Sequence, residues 1–191
     1  MIQITDKDMK IINTVDALRA LTSTQIERLF YSSQQAQSHR CKQLVDHRKL
    51  KRFRENNWTP YIYYLGRRPA QLKSILAISE FYTLCMVNNL NVTYIEREKH
   101  ISFNNDEFII VPDAVITIES DGVEYEFFIE VDNTKELSTN KYYRAFKEYG
   151  FIPPPIVSIS NRRRRNVFSE LEVIKLKMDL SDFSNIFLQY F

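Results

Sequence analysis

The chain of 191 residues contains little glycine, proline, cysteine or tryptophan: three Gly, six Pro, two Cys and one Trp. So few glycines and prolines exclude collagen-like and low-complexity sequences. The sequence also lacks an apolar run of about 18 residues or more, so no membrane-spanning helix is predicted. Hydrophobic residues make up 44% and aromatic residues 13% of the chain, which excludes a wholly disordered protein. The sequence therefore predicts one or two compact domains.

The sequence also lacks the usual signatures of structural metal and nucleotide sites. Cys41 and Cys85 lie far apart on predicted helices without CxxC spacing, so neither a zinc site nor a disulfide framework is predicted. The three histidines have no metal-ligand spacing, and no GxGxxG or Walker glycine loop occurs. The first ten residues are charged where a signal peptide would be apolar. We therefore expect a cytoplasmic protein in a reducing compartment, with no membrane partner and no nucleotide-driven mechanism.

The net charge of +2 hides a division of charge along the chain. Residues up to Lys73 include 14 basic and 6 acidic side chains, a net charge of +8, whereas residues 76–191 include 12 basic and 18 acidic ones, a net charge of −6. The reversal falls near residues 66–69, where Gly66 and Pro69 interrupt the periodic segments on either side. We therefore predict two domains, residues 1–68 and 69–191. The first is suited to binding polyanions and the second is rich in carboxylates.

The basic part has the element order of a winged helix. Apolar residues at three-residue steps predict an amphipathic helix from Thr5, and a capping box at Thr22 begins a second, short helix. A third helix is predicted from Gln34 to Leu50. Strands are predicted at residues 50–54 and 61–65, with a polar turn between them. Three helices followed by a strand, a turn and a strand predict a winged helix-turn-helix.

Polar and basic side chains crowd the first half of the third predicted helix, as in a DNA-recognition helix. Amide and hydroxyl groups read base edges, whereas Lys and Arg neutralise phosphates. The predicted partner is double-stranded DNA. The candidate base readers are Gln34, Gln35, Gln37 and Ser38, and the candidate phosphate contacts are Arg40, Lys42, Lys51, Arg52 and Arg54. The alternative is that this face is simply solvated, in a winged helix that binds protein.

The acidic part is predicted to contain a sheet. Residues 70–89 read as a largely buried helix, and residues 92–95 as a short strand. Two longer strands are predicted at Phe108–Glu119 and Val123–Val131, joined by a hairpin turn at Asp121-Gly122. Beyond them we expect a helix, a buried strand at residues 156–160, and a last strand with a closing helix in residues 173–191.

Three carboxylates emerge from this predicted sheet. Glu130 and Asp132 differ by two positions and so share a face of the second long strand, and the hairpin can bring Asp113 beside them. Neighbouring carboxylates repel one another unless a cation, hydrogen bonds or protonation relieves them. Mg²⁺ or Mn²⁺ at Asp113 and Glu130 would do so and could activate water against a phosphodiester. The alternative is that Asp132 ends the strand and caps the next helix, with Glu130 as a strand-end surface charge.

Basic residues after the second long strand could assist such a site. A helix is predicted over residues 134–149, and Lys141 on the flank of its inward stripe could lean toward the carboxylates and stabilise charge on a phosphate. A solvated Lys141 is equally consistent with this spacing, and Lys135 is the nearer alternative. The run of four arginines at residues 162–165 predicts a helix start. Four consecutive arginines cannot all face one way on a helix, so part of the run is expected to be solvated or to form salt bridges. Arg162 and Arg163 are the candidate phosphate contacts.

These motifs, in this order, resemble the replication-relaxation proteins of plasmids and other mobile elements. The resemblance covers most of the chain. Its segments are LTSTQIERLF in the first part, Tyr63-Tyr64-Leu65, Ile95-Glu96-Arg97-Glu98, Pro112-Asp113-Ala114, the run from Phe128 to Glu136, Lys141-Tyr142, and the strand before the four arginines. The resemblance implies an α+β protein: a winged helix-turn-helix followed by a restriction-endonuclease-like, PD-(D/E)xK-like domain with a mixed central sheet. It implies a role in plasmid replication or mobilisation.

The match to the nuclease motif departs at one position. Pro112-Asp113 corresponds to the "PD" and Glu130 to the middle acid, but Asp132 stands where the motif has lysine. Either Lys141 supplies that cation and the protein is a metal-dependent DNA nickase, or the site has lost cleavage. In the second case the expected function is a transcription or replication regulator. Its second domain would then serve homodimerisation or contact with other replication or mobilisation proteins.

Overall fold

The computed structural model describes residues 2–132, 139–161 and 168–191, except for the side chains at positions 186 and 189. The chain divides into two compact units, residues 1–89 and 90–191. Within the described residues the protein is an α+β protein with six α-helices and a five-stranded mixed sheet, so the expected fold class and mixed sheet are confirmed. None of the helices in these ranges is long and apolar enough to cross a membrane.

The first unit consists of helices around a small antiparallel sheet. Its elements are α1 (Asp6–Leu18), β1 (Leu21–Thr22), α2 (Ser23–Phe30), α3 (Gln34–Asp46), β2 (Lys51–Phe53), β3 (Ile62–Tyr64) and α4 (Leu72–Val87). The strand order is β1-β3-β2, with both pairs antiparallel. The three predicted helices and the predicted pair of strands are therefore confirmed.

Local sequence signals explain where these helices begin. Thr5 and Asp8 form a reciprocal capping box at α1, and Thr22 and Gln25 form another at α2. The Ser33 hydroxyl accepts a hydrogen bond from the backbone of residue 36 and caps α3. The apolar stripes of the helices meet in a core that includes the fully buried residues Ile11, Val15, Leu18, Ile26, Cys41 and Leu44.

The helix α4 belongs to the first unit, although the charge pattern placed its residues in the second. The Ser79 hydroxyl donates to the Ala20 carbonyl at 2.7 Å, and the Gln25 amide donates to Glu80 at 3.0 Å. The division therefore falls after residue 89 and not at residue 68. With this division the first unit has 14 basic and 7 acidic residues, net +7, and the second has 12 and 17, net −5.

The second unit is built on a five-stranded sheet. Its elements are β4 (Asn91–Arg97), β5 (Ile101–Phe103), β6 (Phe108–Ile110), β7 (Ala114–Ser120), β8 (Val123–Asp132), α5 (Asn140–Tyr149), β9 (Ile156–Ser160), β10 (Val173–Leu176) and α6 (Phe183–Ile186), followed by a 3₁₀ turn (Phe187–Tyr190). The strand order is β10-β9-β8-β7-β4. The pairs among β10, β9 and β8 are parallel, and those among β8, β7 and β4 are antiparallel.

The hairpin at Asp121-Gly122 is confirmed. These two residues have φ values of 52° and 77° and connect β7 to β8, with Ser120 opposite Val123. Positive φ at both central positions matches the tight turn that follows the twist of two antiparallel strands. This turn sets the register that later places Asp113 next to Glu130.

The predicted strand over residues 108–119 is wrong as a single element. It divides into β6, which pairs with β5 alone, and β7, which joins the five-stranded sheet. Pro112 lies between them, and proline cannot donate to a strand ladder. β4 and β8 are longer than predicted, and the helix expected from residue 134 is described only from Asn140, where α5 begins.

Both faces of the β8 centre are covered. Phe128 packs against Tyr142 of α5, with ring centroids 5.6 Å apart, and Phe127 packs against Phe187 on the other face, at 5.2 Å. Residues 127–131 are accordingly all buried. Since alternate residues of a strand share a face, Glu130 lies on the same face as Phe128, beneath α5.

Candidate functional site

The hairpin register brings two of the predicted carboxylates together. Ala114 is opposite Ile129, so the residue before β7, Asp113, lies beside Glu130. The Asp113 carboxylate accepts a hydrogen bond from the Val131 backbone N–H at 2.7 Å. This bond holds Asp113 at the end of the sheet ladder, where Pro112 has interrupted the strand pairing.

Glu130 is the buried centre of this cluster. It is only 3% exposed, and its Oε1 atom lies 2.7 Å from the Lys141 ammonium. The Tyr142 hydroxyl donates to the same oxygen at 2.5 Å. Lys141 also donates to the Val111 carbonyl at 2.6 Å, just before the Pro112-Asp113 segment. Two consecutive residues of α5 therefore hold Glu130 and the chain next to Asp113.

Burial raises the pKa of Glu130 to about 7, and the nearby Asp113 charge adds to this effect. Lys141 and Tyr142 act in the opposite direction, since each favours the ionised carboxylate. Burial and the proximity of Glu130 raise the pKa of the Tyr142 hydroxyl. A carboxyl group with a pKa near neutrality can both accept and donate a proton at physiological pH, as a general acid or base requires.

The third predicted carboxylate, Asp132, lies at the end of β8. It is half-buried and is opposite Ser160 of β9. Across residues 2–132, 139–161 and 168–191, no group of three or more His, Cys, Asp or Glu residues could hold a metal ion. The two carboxylates that lie together here are those of Asp113 and Glu130, with the Lys141 ammonium beside Glu130.

The first unit has a groove at the predicted recognition helix. It has a volume of about 1030 Å³ and lies between α3, the start of α2 and the β2–β3 hairpin. Several predicted DNA contacts line it together with the hairpin tip. These contacts are Gln34, Gln35, Ser38 and Lys42 of α3 and Arg52 of β2, and the hairpin tip contributes Trp58.

The groove side chains are accessible. Gln34, Gln35, Ser38 and Lys42 are exposed on one side of α3. Arg52 is half-buried, and its guanidinium lies over the Tyr61 ring, 4.2 Å from the centroid. Such stacking positions the cation at the groove, where it can bind an anion.

Two predicted DNA contacts on α3 point elsewhere. Gln37 is fully buried, four residues before Cys41 on the inward stripe, so it cannot read a base edge in this conformation. The Arg40 guanidinium donates to both carboxylate oxygens of Asp8, at 2.9 and 2.5 Å, and to the Gln3 carbonyl at 2.8 Å. Arg40 is therefore a structural link between α1 and α3, because its donors already have internal acceptors.

The remaining predicted phosphate contacts have varied surroundings. Lys51 is exposed and donates to the Gly66 carbonyl at 2.7 Å. Arg54 is exposed, with its guanidinium 5.0 Å from the Tyr61 ring centroid. Arg162 and Arg163 lie outside the described residues, so their predicted phosphate contacts remain predictions.

Trp58, His39 and Thr24 also line the groove but were not predicted as site residues. His39 directly follows Ser38 on the exposed side of α3, and helical periodicity could have included it. Trp58 had a weaker signal: it is the single tryptophan of the chain and stands in a polar turn. Thr24 had no signal in the sequence that distinguishes it.

In comparisons with known proteins, no protein-family model, no curated protein and no solved structure matches this chain.

Proposed function

We propose that the protein binds double-stranded DNA through the groove of its first unit, and that this unit is a winged helix. The observation that carries the proposal is the grouping of exposed amide, hydroxyl and basic side chains from α3 with the hairpin residues Arg52 and Trp58 in one groove. The element order supports it: three helices precede a hairpin whose strand β3 pairs with both β1 and β2. We propose that α3 is the recognition helix and the β2–β3 hairpin is the wing.

Each part of the groove has a role in this proposal. Gln34, Gln35 and Ser38 offer donors and acceptors to base edges in the major groove. Lys42 and Arg52 neutralise phosphates, which provides affinity without sequence preference. The N-terminus of α3 faces the same groove, and its partial positive charge also favours a phosphate.

The test is the salt dependence of duplex binding, measured by fluorescence anisotropy. We expect Lys42→Ala to weaken binding to all duplexes and to lower the slope of log affinity against log salt by about one. The combined change Gln34→Ala and Ser38→Ala should reduce sequence preference more than the salt slope. Lys10→Ala is the matched control, since Lys10 is exposed on α1 outside the groove. Equal effects of Lys42→Ala and Lys10→Ala, or binding that does not respond to salt, would contradict the proposal.

We further propose that the second unit is a nuclease-like domain of PD-(D/E)xK type, and that the protein acts in the replication or mobilisation of a plasmid or other mobile element. Asp113, Glu130 and Lys141 lie together, as the two acids and the cation of such a site would. Asp113 and Glu130 would hold Mg²⁺ or Mn²⁺. The ion, when bound, lowers the pKa of coordinated water. Lys141 would offer its ammonium to a phosphate, and Tyr142 would keep Glu130 oriented.

The test of nickase activity is the relaxation of supercoiled plasmid in Mg²⁺ or Mn²⁺. We expect Glu130→Gln and Asp113→Asn each to abolish nicking. Glu124→Gln is the matched control, because Glu124 is an exposed residue on the same strand. If the wild type and Glu130→Gln retain the same trace activity, the catalytic version is excluded.

One observation favours a second candidate, a non-catalytic regulator. Glu130 is 3% exposed, and one of its oxygens already has both Lys141 and Tyr142 as partners. A carboxylate that already has these two partners can stabilise the fold without a metal ion. In that case DNA binding should survive Asp113→Asn and Glu130→Gln, no nicking should occur, and the second unit should mediate dimerisation, measurable by sedimentation, or contact with another replication or mobilisation protein.

A further inference from the structure

The hairpin between β2 and β3 presents an aromatic side chain almost entirely to solvent. Trp58 is 95% exposed, while the other large hydrophobic side chains that reach the surface in the described ranges are 38% to 78% exposed. Tryptophan usually buries most of its ring in the folded protein. The indole of Trp58 therefore has both faces available to a ligand.

The backbone around Trp58 is fixed by hydrogen bonds. The Asn56 side-chain oxygen accepts from the backbone N–H groups of Trp58, at 2.9 Å, and Thr59, at 3.0 Å. The Thr59 hydroxyl accepts from the Asn56 N–H and donates to the Asn56 carbonyl. Pro60 follows and restricts the chain further. Because these bonds fix the backbone of the turn, only the side-chain torsions of Trp58 remain to be ordered on binding.

The charge of the hairpin identifies the kind of ligand. Residues 51–68 include five basic side chains and one acidic one. Arg52 and Arg54 lie over the Tyr61 ring, and Arg52 and Tyr61 line the same groove as Trp58. Cations interleaved with aromatic rings around a free indole are typical of surfaces that bind single-stranded nucleic acid, where bases stack and phosphates pair with arginine.

We propose that Trp58 stacks on an unpaired nucleobase, so that the protein prefers duplex DNA adjoining a single-stranded gap over fully paired duplex. This inference rests on the proposed duplex binding by α3, since Trp58 lines the same groove as Gln34 and Lys42. In paired DNA the faces of each base are covered by its neighbours, and inserting a side chain requires unstacking. A gap offers a free base face without that cost. Duplex in the groove and an open base at the hairpin tip would thus be bound together.

The single tryptophan allows a direct test with the full chain. Its emission is followed while the protein is titrated with a paired duplex, the same duplex with a two-nucleotide gap, and the single strand alone. We expect quenching with the gapped duplex and the single strand, and roughly tenfold tighter binding of the gapped than of the paired duplex. Trp58→Ala should remove this preference by weakening binding of the gapped duplex roughly tenfold more than binding of the paired duplex, and Trp58→Phe should keep most of it.

The outcomes separate this inference from the proposed function. If Trp58→Ala weakens binding of the paired and the gapped duplex equally, or if both duplexes quench Trp58 emission equally, the stacking role is overturned. The proposed duplex binding would still stand in that case. Quenching by single strands without duplex binding supports the stacking role and overturns duplex recognition. Binding to none of the probes overturns both. If Trp58 emission shifts with protein concentration in the absence of DNA, a second copy of the chain packs on Trp58. This result would also overturn the inference.

Discussion

The two units each contain a buried carboxylate paired with a cation from another element, and the two pairs behave oppositely. Asp8 is 1% exposed and pairs with Arg40, while Glu130 is 3% exposed and pairs with Lys141. The Arg40 hydrogen bonds lower the pKa of Asp8 to about 2, whereas burial raises the pKa of Glu130 to about 7. A cation nearby is therefore not enough to keep a buried acid ionised.

The difference lies in the balance between desolvation and hydrogen bonding: desolvation has the largest effect on the pKa of Glu130, and the hydrogen bonds from Arg40 have the largest effect on that of Asp8. Asp8 accepts two hydrogen bonds from the Arg40 guanidinium and two more from the N–H and hydroxyl of Thr5, both at 2.8 Å. At Glu130, Lys141 and Tyr142 both contact Oε1, in the interior of an apolar sheet with Asp113 beside it. A bidentate guanidinium compensates for burial better than a single ammonium does. Asp8 is thus a structural acid, and Glu130 retains the capacity to exchange a proton.

Arg40→Ala should have the largest effect, because it leaves Asp8 buried without its cation. We expect the free energy of unfolding at pH 7 to fall by about 3–5 kcal/mol, measured by urea denaturation. The exposed neighbour Lys42 is the control, and Lys42→Ala should change stability by less than about 0.5 kcal/mol. A loss below about 1 kcal/mol for Arg40→Ala would show that Asp8 is compensated by Thr5 alone.

Glu130→Gln should change the pH dependence of stability. The folded-state pKa of about 7 lies above the ordinary 4.5, so the wild type binds more protons folded than unfolded, and its stability falls as pH rises from about 4.5 to 7. The full fall is on the order of 3 kcal/mol. The variant should lack this fall in urea denaturation across that range. Glu124→Gln, on the exposed part of the same strand, should show the same fall in stability as the wild type. If the fall persists in Glu130→Gln, a group other than Glu130 causes it.

Lys141→Met should have a smaller effect that depends on pH. Without the ammonium, the pKa of Glu130 should rise further, and unfolding at pH 8 should become easier by about 2 kcal/mol. At pH 5 the folded-state carboxyl is already protonated, so the loss should be less than about 1 kcal/mol. Lys147→Met provides the control, since Lys147 pairs with Glu170 on an exposed surface. Equal losses at the two pH values would mean that Lys141 acts through packing and not through charge.

Arg28→Ala should have the smallest effect. Arg28 pairs with Glu80, and the two side chains are 33% and 30% exposed, so water already screens the pair. We expect a loss of less than about 1 kcal/mol in urea denaturation. Glu80→Gln should lower the free energy of unfolding by a similarly small amount. A loss above about 2 kcal/mol would mean that this exposed pair stabilises the fold as much as the buried Asp8–Arg40 pair. Exposure would then not explain the expected difference in stability between the two pairs.

Much of the fold follows from periodicity and turn chemistry. The Thr22 capping box, the Asp121-Gly122 hairpin and the element order of residues 5–65 are local signals, and the structure confirms them. The same periodicity could have corrected one site residue. Gln37 precedes Cys41 by four positions and Leu44 by seven, so it belongs to the inward stripe despite its polar side chain.

The remaining features depend on contacts between distant residues. Asp8 shares a helical stripe with Ile11 and Val15, so its burial was predictable, but its partner Arg40 lies 32 residues away and had been assigned to phosphate. The membership of α4 depends on Ser79 meeting the Ala20 carbonyl, which no local pattern encodes. Local signals therefore predict elements well, whereas the partner of a charged group requires the folded chain.

The position of β8 has a consequence for the order of folding. β7 and β8 are joined by a two-residue turn, while β9 pairs with β8 only after a long connection is closed, with Glu130 opposite Ser158. The helix α5 belongs to this connection and covers Glu130, so Glu130 loses its contact with water when the connection packs on the sheet. We expect refolding, followed by stopped-flow circular dichroism, to slow as pH rises from 4.5 to 7, because an ionised Glu130 must then be desolvated on the way to the native sheet.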